Sequence, residues 1–297
     1  MISASLKVDR LKITGIGLSK ASYSIARQQL PGIADIQTDL NLNNAYLKYT
    51  ESGYIQGVNL REKNNQAVAR LAVGCTKSKH FYLACELYPA LFKNQQNRAA
   101  FKAFNEAVTM LFPDEFGYEV AHTIGKTQYI EVAKDYMTLA PASFIAHAPY
   151  TKTSNNHKGT QYMGKQFTCY DKKKQLQEVK HQTSNWQNIV RIEAKARKTG
   201  IQPANLHTLA NPFKALEVAD RAALEAIQDQ EFQDWLLDCT APDGKGTTRA
   251  LHLLPEAKRK KFRHYLRDCA APWYDPEEIF STWGTALQAI APATLLQ

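Results

Sequence analysis

The chain has 297 residues, 44% hydrophobic and 22% charged, apolar enough for one large core or two modest ones and too apolar for disorder. No run of roughly 18 apolar residues occurs, and the start Met1-Ile-Ser-Ala-Ser-Leu-Lys-Val-Asp-Arg10 lacks the basic opening and apolar stretch of a secretory signal, so a cytoplasmic chain with no membrane partner is expected. The formal net charge is +9. Five cysteines (75, 85, 169, 239 and 269) form no pair two residues apart and have no clustered histidines, which excludes a disulfide framework and a structural zinc site.

The first half is strand-rich in pattern. Leu6 to Ile13 alternates, Ala45–Tyr49 and Tyr54–Leu60 read as a hairpin around Glu51-Ser-Gly53, and Ala67–Val73 and His80–Leu87 follow. In the last of these, Phe81, Leu83, Cys85 and Leu87 share one face and His80, Tyr82, Ala84 and Glu86 the other, so one side is core and the other a wet or working surface. From Gln96 to Phe112 the apolar residues fall at helical spacing, and Pro113 closes a core-packing helix.

Thr127–Met137 returns to strand character, and Pro141–Pro149 is ambiguous. Gly159–Met163 and Phe167–Asp171 read as short strands joined by Gly164-Lys-Gln166, Asp171–Lys180 can start a helix, and Ile189–Lys198 is the strongest strand pattern in the chain. After Gly200 the composition turns to Ala, Leu, Glu and Asp, with a loop at Pro242, Gly244 and Gly246 and helical patterns over Pro255–Cys269 and Pro276–Ile290. The expectation is an α+β fold: a mixed or antiparallel sheet with a long packing helix in residues 1–200, then an all-helical lobe in 201–297.

The positive charge is concentrated. Residues 151–200 hold eleven Lys/Arg against three acids, and eleven less three is +8 of the net +9. Such a patch, with aromatic and carboxylate residues set among the cations, points to a polyanion such as nucleic acid, whose counterions are released on binding. The alternative is a merely solvated surface.

Within that patch the alternation of Ile189–Lys198 puts Arg191, Glu193, Lys195 and Arg197 on one face. A lone glutamate there is either a salt-bridge partner or a metal ligand kept ionised by its neighbours. On Tyr129-Ile-Glu-Val-Ala-Lys-Asp135 the period of two places Glu131 and Asp135 together, a second carboxylate strand able to hold a hard divalent ion; His80, Glu86 and His122 are further candidates. Tyr170 is the candidate nucleophile, because a phenol needs nearby cations or a metal to favour its anion and Lys172, Lys173 and Lys174 adjoin it; Tyr162 is the second candidate. A tyrosine at a strand end with its hydroxyl in water is the plain alternative. No phosphate-binding Gly-x-x-x-x-Gly-Lys-Ser/Thr loop and no Gly-x-Ser-x-Gly elbow occurs, which argues against a built-in ATPase and an acyl hydrolase.

Four blocks resemble, in order, those of the gene II replication initiators of filamentous bacteriophages and, more distantly, plasmid rolling-circle initiators. They are His80-Phe-Tyr-Leu-Ala-Cys-Glu-Leu-Tyr-Pro-Ala90, Gln128-Tyr-Ile-Glu-Val-Ala133, Thr168-Cys-Tyr-Asp-Lys-Lys173 and Ile189-Val-Arg-Ile-Glu-Ala-Lys-Ala-Arg197. The likeness covers roughly residues 40–210 and leaves the helical tail unmatched. It implies an endonuclease and strand-transferase that nicks one strand at an origin in a bacterial host cytoplasm. Tyr170 would form a 5′-phosphotyrosine link, with Lys172 and Lys173 beside it and Mg²⁺ or Mn²⁺ on ligands drawn from Glu86, Glu131, Asp135 and Glu193. Lys165, Lys174, Arg191, Lys195 and Arg197 would contact double- and single-stranded origin DNA, and a host helicase and polymerase would be the other partners. Where the family has Arg-Ile-Asp this chain reads Tyr129-Ile130-Glu131, so either Glu131 or Asp135 is the equivalent acid. A non-catalytic basic DNA-binding regulator of the same ancestry is the alternative from another class.

Overall fold

The computed structural model describes residues 2–3, 5–35, 45–52, 55–62, 65–111, 116–137, 139–148, 162–163, 166–180, 188–241 and 243–296. In chain order the elements are β1 (Ile2–Ser3), β2 (Lys7–Leu18), α1 (Lys20–Asp35), β3 (Ala45–Ser52), β4 (Ile55–Glu62), β5 (Ala67–Cys75), β6 (Phe81–Leu87), α2 (Gln95–Leu111), α3 (Tyr118–Ile124) and β7 (Lys126–Met137). There follow β8 (Phe144–His147), β9 (Tyr162–Met163), β10 (Phe167–Asp171), α4 (Lys172–Lys180), β11 (Ile189–Arg197), β12 (Glu217–Asp220), α5 (Arg221–Glu225), α6 (Gln230–Thr240), α7 (Thr247–Leu253), α8 (Glu256–Asp268), α9 (Pro276–Ser281), α10 (Trp283–Gln288) and α11 (Pro292–Leu295). The fold is α+β, as the sequence pattern predicts. Ten strands form one sheet in the order β3-β4-β5-β6-β2-β7-β11-β10-β9, with β1 on β7; β8 and β12 make a separate pair.

The chain divides into two compact units. Unit one comprises Met1–Leu6, Val132–Lys195 and Ala210–Trp283, and unit two Lys7–Glu131, Ala196–Leu209 and Gly284–Gln297.

In unit two, the antiparallel registers align apolar side chains into rows across four strands: Leu11, Leu87, Ala69 and Leu60, then Ile13, Cys85, Leu71 and Val58. Leu11, Ile13, Leu60, Leu71 and Leu87 are wholly buried, because helices cover that face. α2 brings Phe101, Phe104 and Val108 to the core, and its bounds match the predicted helix within a residue. α1 is an additional helix in this half, where the strand-rich sequence reading has only the one at Gln96–Phe112. Ser19 caps it, its Oγ accepting from the Ser22 N–H at 2.9 Å, and Ala26, Leu30 and Ile33 are its buried stripe, while Pro31 inside the helix disguises it in the sequence. The predicted hairpin is present as β3 and β4, although Gly53 of its turn lies outside the described residues.

In unit one, β10 and β11 pair antiparallel, Thr168 opposite Glu193 and Tyr170 opposite Arg191. A separate cluster joins Ile145 and Ala219 to Phe232, Leu236, Phe262 and Leu266 from α6 and α8. α5, α6 and α9 start on Asp220, Asp229 and Asp275, whose carboxylates accept first-turn N–H groups.

Two expectations need correction. Residues 201–297 are not all helical: Glu217-Val-Ala-Asp220, short and helix-prone in composition, is a strand because it pairs with Phe144–His147, a segment distant in sequence. Nor do the compact units follow a boundary at residue 200. The tail returns to unit two, where the buried Tyr118 hydroxyl donates to the Ile290 carbonyl at 2.6 Å.

Candidate functional site

Unit one carries a polar cluster around Tyr170. β11 is buried on both faces: Val190, Ile192 and Ala194 on one side, Arg191 and Glu193 on the other. Tyr170 is the penultimate residue of β10 and is 8% exposed, its hydroxyl donating to Glu193 Oε1 at 2.7 Å. Lys172 Nζ lies 5.6 Å from the centre of the Tyr170 ring and donates to Gln175. Lys195 Nζ donates to Thr168 Oγ1 and stands 3.8 Å from Glu193 Oε2. A strand-end tyrosine with its hydroxyl in water is therefore not what the fold builds here. The phenol is tied to a carboxylate inside a cationic setting.

α4 begins at the next residue but one. Asp171 Oδ1 accepts the Lys174 N–H at 3.0 Å and caps it. Lys172, Lys173 and Lys174 then occupy the first turn with no acid there, the end of a helix at which positive charge is disfavoured. Lys173 is half-buried, and Lys174 is exposed, 3.8 Å from Glu178.

Asp135 and Arg191 form a fork. Arg191 Nε donates to Oδ1 at 2.6 Å and Nη2 to Oδ2 at 2.8 Å, with the side chains 13% and 11% exposed. Two parallel charge-assisted bonds in a buried setting hold both groups firmly. They commit Asp135, a predicted ligand, and Arg191, a predicted DNA contact, to each other.

Unit two has its own polar cluster. Arg10 pairs with Glu86, which also accepts from the Tyr88 hydroxyl at 2.8 Å. The Arg10 guanidinium stacks 5.6 Å from the Tyr88 ring and 5.2 Å from the Tyr129 ring, and Arg197 lies 5.0 Å from Tyr129. The Tyr129 hydroxyl donates to Glu131 Oε2. Burial and then Glu86 push the Tyr88 phenol up to about 12; burial and the bond to Glu131 raise Tyr129 further. Both phenols stay protonated as donors. Burial is the largest influence on the Arg10 charge and works against it, but Glu86, Tyr88 and Tyr129 together outweigh it and raise the guanidinium pKa.

The predicted ligands thus fall in different settings. Glu86 is in the Arg10 pair, Asp135 in the Arg191 fork, Glu131 beside Tyr129 and Glu193 beneath Tyr170. The acids that could contribute to a divalent-ion site are Asp9 and Glu131 in unit two, with carboxylate oxygens within 4.8 Å of each other, and Glu193 in unit one. Asp9 was missed because it sits between Lys7 and Arg10 on a strand read only for its apolar alternation. Burial lowers the pKa of His122, which packs edge-on to Tyr118, and His80 Nδ1 bonds Ser78 Oγ at 3.0 Å. Tyr162 is fully buried on β9, and Lys165 lies outside the described residues.

The cysteines are free thiols, as expected. Burial and then Glu86 push Cys85 up to about 12, and burial and then Glu193 push Cys169 higher still. Among the described residues no helix is long and apolar enough to cross a membrane. No protein-family model and no curated protein matches the chain.

Proposed function

We propose that the chain is a DNA strand-transferase of the rolling-circle type, acting on origin DNA in a bacterial cytoplasm. The observation that carries this reading is the Tyr170 hydroxyl held 2.7 Å from Glu193 among Lys172, Lys195 and the first turn of α4. The four family-like blocks and the +8 patch support it. Glu193 is in position to accept the phenolic proton as Tyr170 Oη forms a bond to phosphorus and the 3′ oxygen of the cleaved strand departs. The bond energy stays in the phosphotyrosine, so attack by a 3′-hydroxyl reverses the step without ATP.

The lysines at the start of α4 repel one another and the helix dipole, an unfavourable arrangement that an approaching phosphate relieves. Oxygen-only acids suit Mg²⁺ or Mn²⁺. Asp9 with Glu131, and separately Glu193, are the groups that fit such an ion, which would polarise the scissile phosphate.

The test is covalent capture. Single-stranded origin oligonucleotides labelled on the 5′-phosphate side of the nick should give a protein adduct in Mg²⁺ or Mn²⁺, mapped to the peptide containing Tyr170. Tyr170→Phe and added EDTA should each abolish it while DNA binding persists. An adduct formed by Tyr170→Phe, or binding without an adduct under all conditions, refutes the reading, the latter in favour of a non-catalytic regulator.

A further inference from the structure

The polar face of the unit-two sheet is a trough built by its strand registers. One row across it is Lys12, Glu86, Arg70 and Asn59; the next is Ala84, Ala72 and Gly57; the third is Gly17, Tyr82, Gly74 and Ile55. The outer rows are four residues apart, roughly 13 Å at strand rise. Because the middle row carries almost no side chain, a cavity of about 610 Å³ opens above it, lined among others by Lys12, Arg70, Tyr82 and Gln128.

Tyr82 lies across bare backbone. A Cβ placed on Gly74 would come within 2.5 Å of its ring and hydroxyl, whereas one on Gly17, its other neighbour, would meet nothing within 4 Å. The ring thus lies over Gly74 and lines the cavity. At the opposite end Lys12 and Arg70 flank Glu86, whose charge Arg10 already offsets, so the row is net positive. The Arg70 Nε is buried and has no hydrogen-bond acceptor among the described residues. An aromatic platform at one end and, at the other, a lysine and a guanidinium whose Nε has no acceptor are the complement of a base and a phosphate.

We propose that this trough seats a short unpaired stretch of DNA, one base stacked on Tyr82 and a neighbouring phosphate against Lys12 and Arg70. The proposal rests on the DNA-processing reading above and names where the single strand lies. The volume falls within the range of ligand pockets, about 300–1,000 Å³, and suits one or two nucleotides. A duplex, whose bases are already stacked, cannot use the Tyr82 ring.

The experiment is fluorescence anisotropy of the full chain with labelled dT12 in EDTA, where no strand is cut. Tyr82→Ala should weaken binding about tenfold and Tyr82→Phe should not, since stacking needs only the ring. Lys12→Ala with Arg70→Ala should flatten the dependence of log affinity on log salt by about 0.7 for each phosphate no longer neutralised. Photocross-linking of a 5-bromouracil strand to wild-type protein should map to the Phe81–Leu87 peptide, a readout independent of how the variants fold. Unchanged binding by Tyr82→Ala, equal loss in Tyr82→Phe, or cross-links elsewhere would overturn the proposal. A normal Tyr170 adduct with unchanged Tyr82→Ala affinity sinks the trough alone; loss of dT12 binding in a chain that never forms an adduct sinks the strand-transfer reading alone.

Discussion

The Asp135–Arg191 fork sets Asp135 apart from the carboxylates proposed as ion ligands. With side chains only 13% and 11% exposed, the pair is nearly dry, so removing one partner leaves a charge buried without its counter-ion. Asp135→Ala should therefore cost about 3–5 kcal/mol, and Arg191→Ala a similar amount. Replacing both with apolar residues of like volume, Asp135→Leu with Arg191→Met, should restore most of it, since a well-packed apolar pair often equals a buried ion pair. The expected coupling is at least ~2 kcal/mol, well above the ~0.5 kcal/mol scatter of independent sites.

Urea unfolding followed by tryptophan fluorescence reads this directly, because Trp235, Trp273 and Trp283 all belong to unit one. With a slope near 2 kcal/mol per molar urea, the single substitutions should lower the midpoint by about 1.5–2.5 M. The drop should be the same in Mg²⁺ and in EDTA, since the pair is internal to the protein. A drop that vanishes in EDTA would make Asp135 a metal ligand after all. Single-site costs that simply add in the double variant would refute the buried-pair argument.

Other consequences follow from the same physics. Glu217, opposite His147 on the β8–β12 pair with Oε2 3.1 Å from Nε2, is raised by burial but lowered further by His147, Arg263 and Arg267, leaving its pKa depressed. A depressed carboxylate stabilises above its unfolded pKa of about 4.3 and loses that contribution as pH falls through the folded value, so acid titration of the tryptophan signal should be shallower below pH ~4.3 in Glu217→Gln. Tyr118→Phe removes the bond to the Ile290 carbonyl and orphans a buried acceptor, which should cost unit two about 1–3 kcal/mol by hydrogen exchange of α2 and α3. Deleting residues 284–297 should cost more than that by the same measurement, whereas a tail outside the core would leave exchange unchanged. Gly125→Ala would place a Cβ 2.3 Å from Ile13 Cγ2 and 2.5 Å from the Ala121 carbonyl, backbone that cannot step aside, and should lower stability by about 1–3 kcal/mol in thermal melts.

Strand faces were legible because period-two alternation survives any strand order. Leu83, Cys85 and Leu87 went to the core, and Tyr82, Ala84 and Glu86 went to the opposite face, which lines the trough, although Ala84 and Glu86 are buried there rather than wet. α1 was hidden by Pro31 and a polar composition, and β12 by a pairing partner about seventy residues away in sequence. At the site, adjacency in sequence found Tyr170 and its lysines, and alternation found Glu193. Neither could find which acid Arg191 or Arg10 would claim, because those choices depend on residues 56 and 76 positions apart in sequence.

That limit explains why the carboxylates divide as they do. Asp135 accepts from the buried Arg191, and Glu86, itself buried, accepts from the half-exposed Arg10 and from the Tyr88 hydroxyl, so removing either acid perturbs the fold before any chemistry. Glu193 accepts from a neutral phenol and stands 3.8 Å from the Lys195 ammonium. Of the two predicted acids in unit one it is therefore the one that can take a proton from Tyr170, whose hydroxyl it already accepts. Glu193→Gln should accordingly leave stability by urea unfolding within about 1 kcal/mol of wild type, since the amide oxygen still accepts from Tyr170, while the Tyr170 adduct is lost. A glutamine variant that unfolds early, or one that still forms the adduct at the wild-type rate, would remove Glu193 from the proton-transfer role.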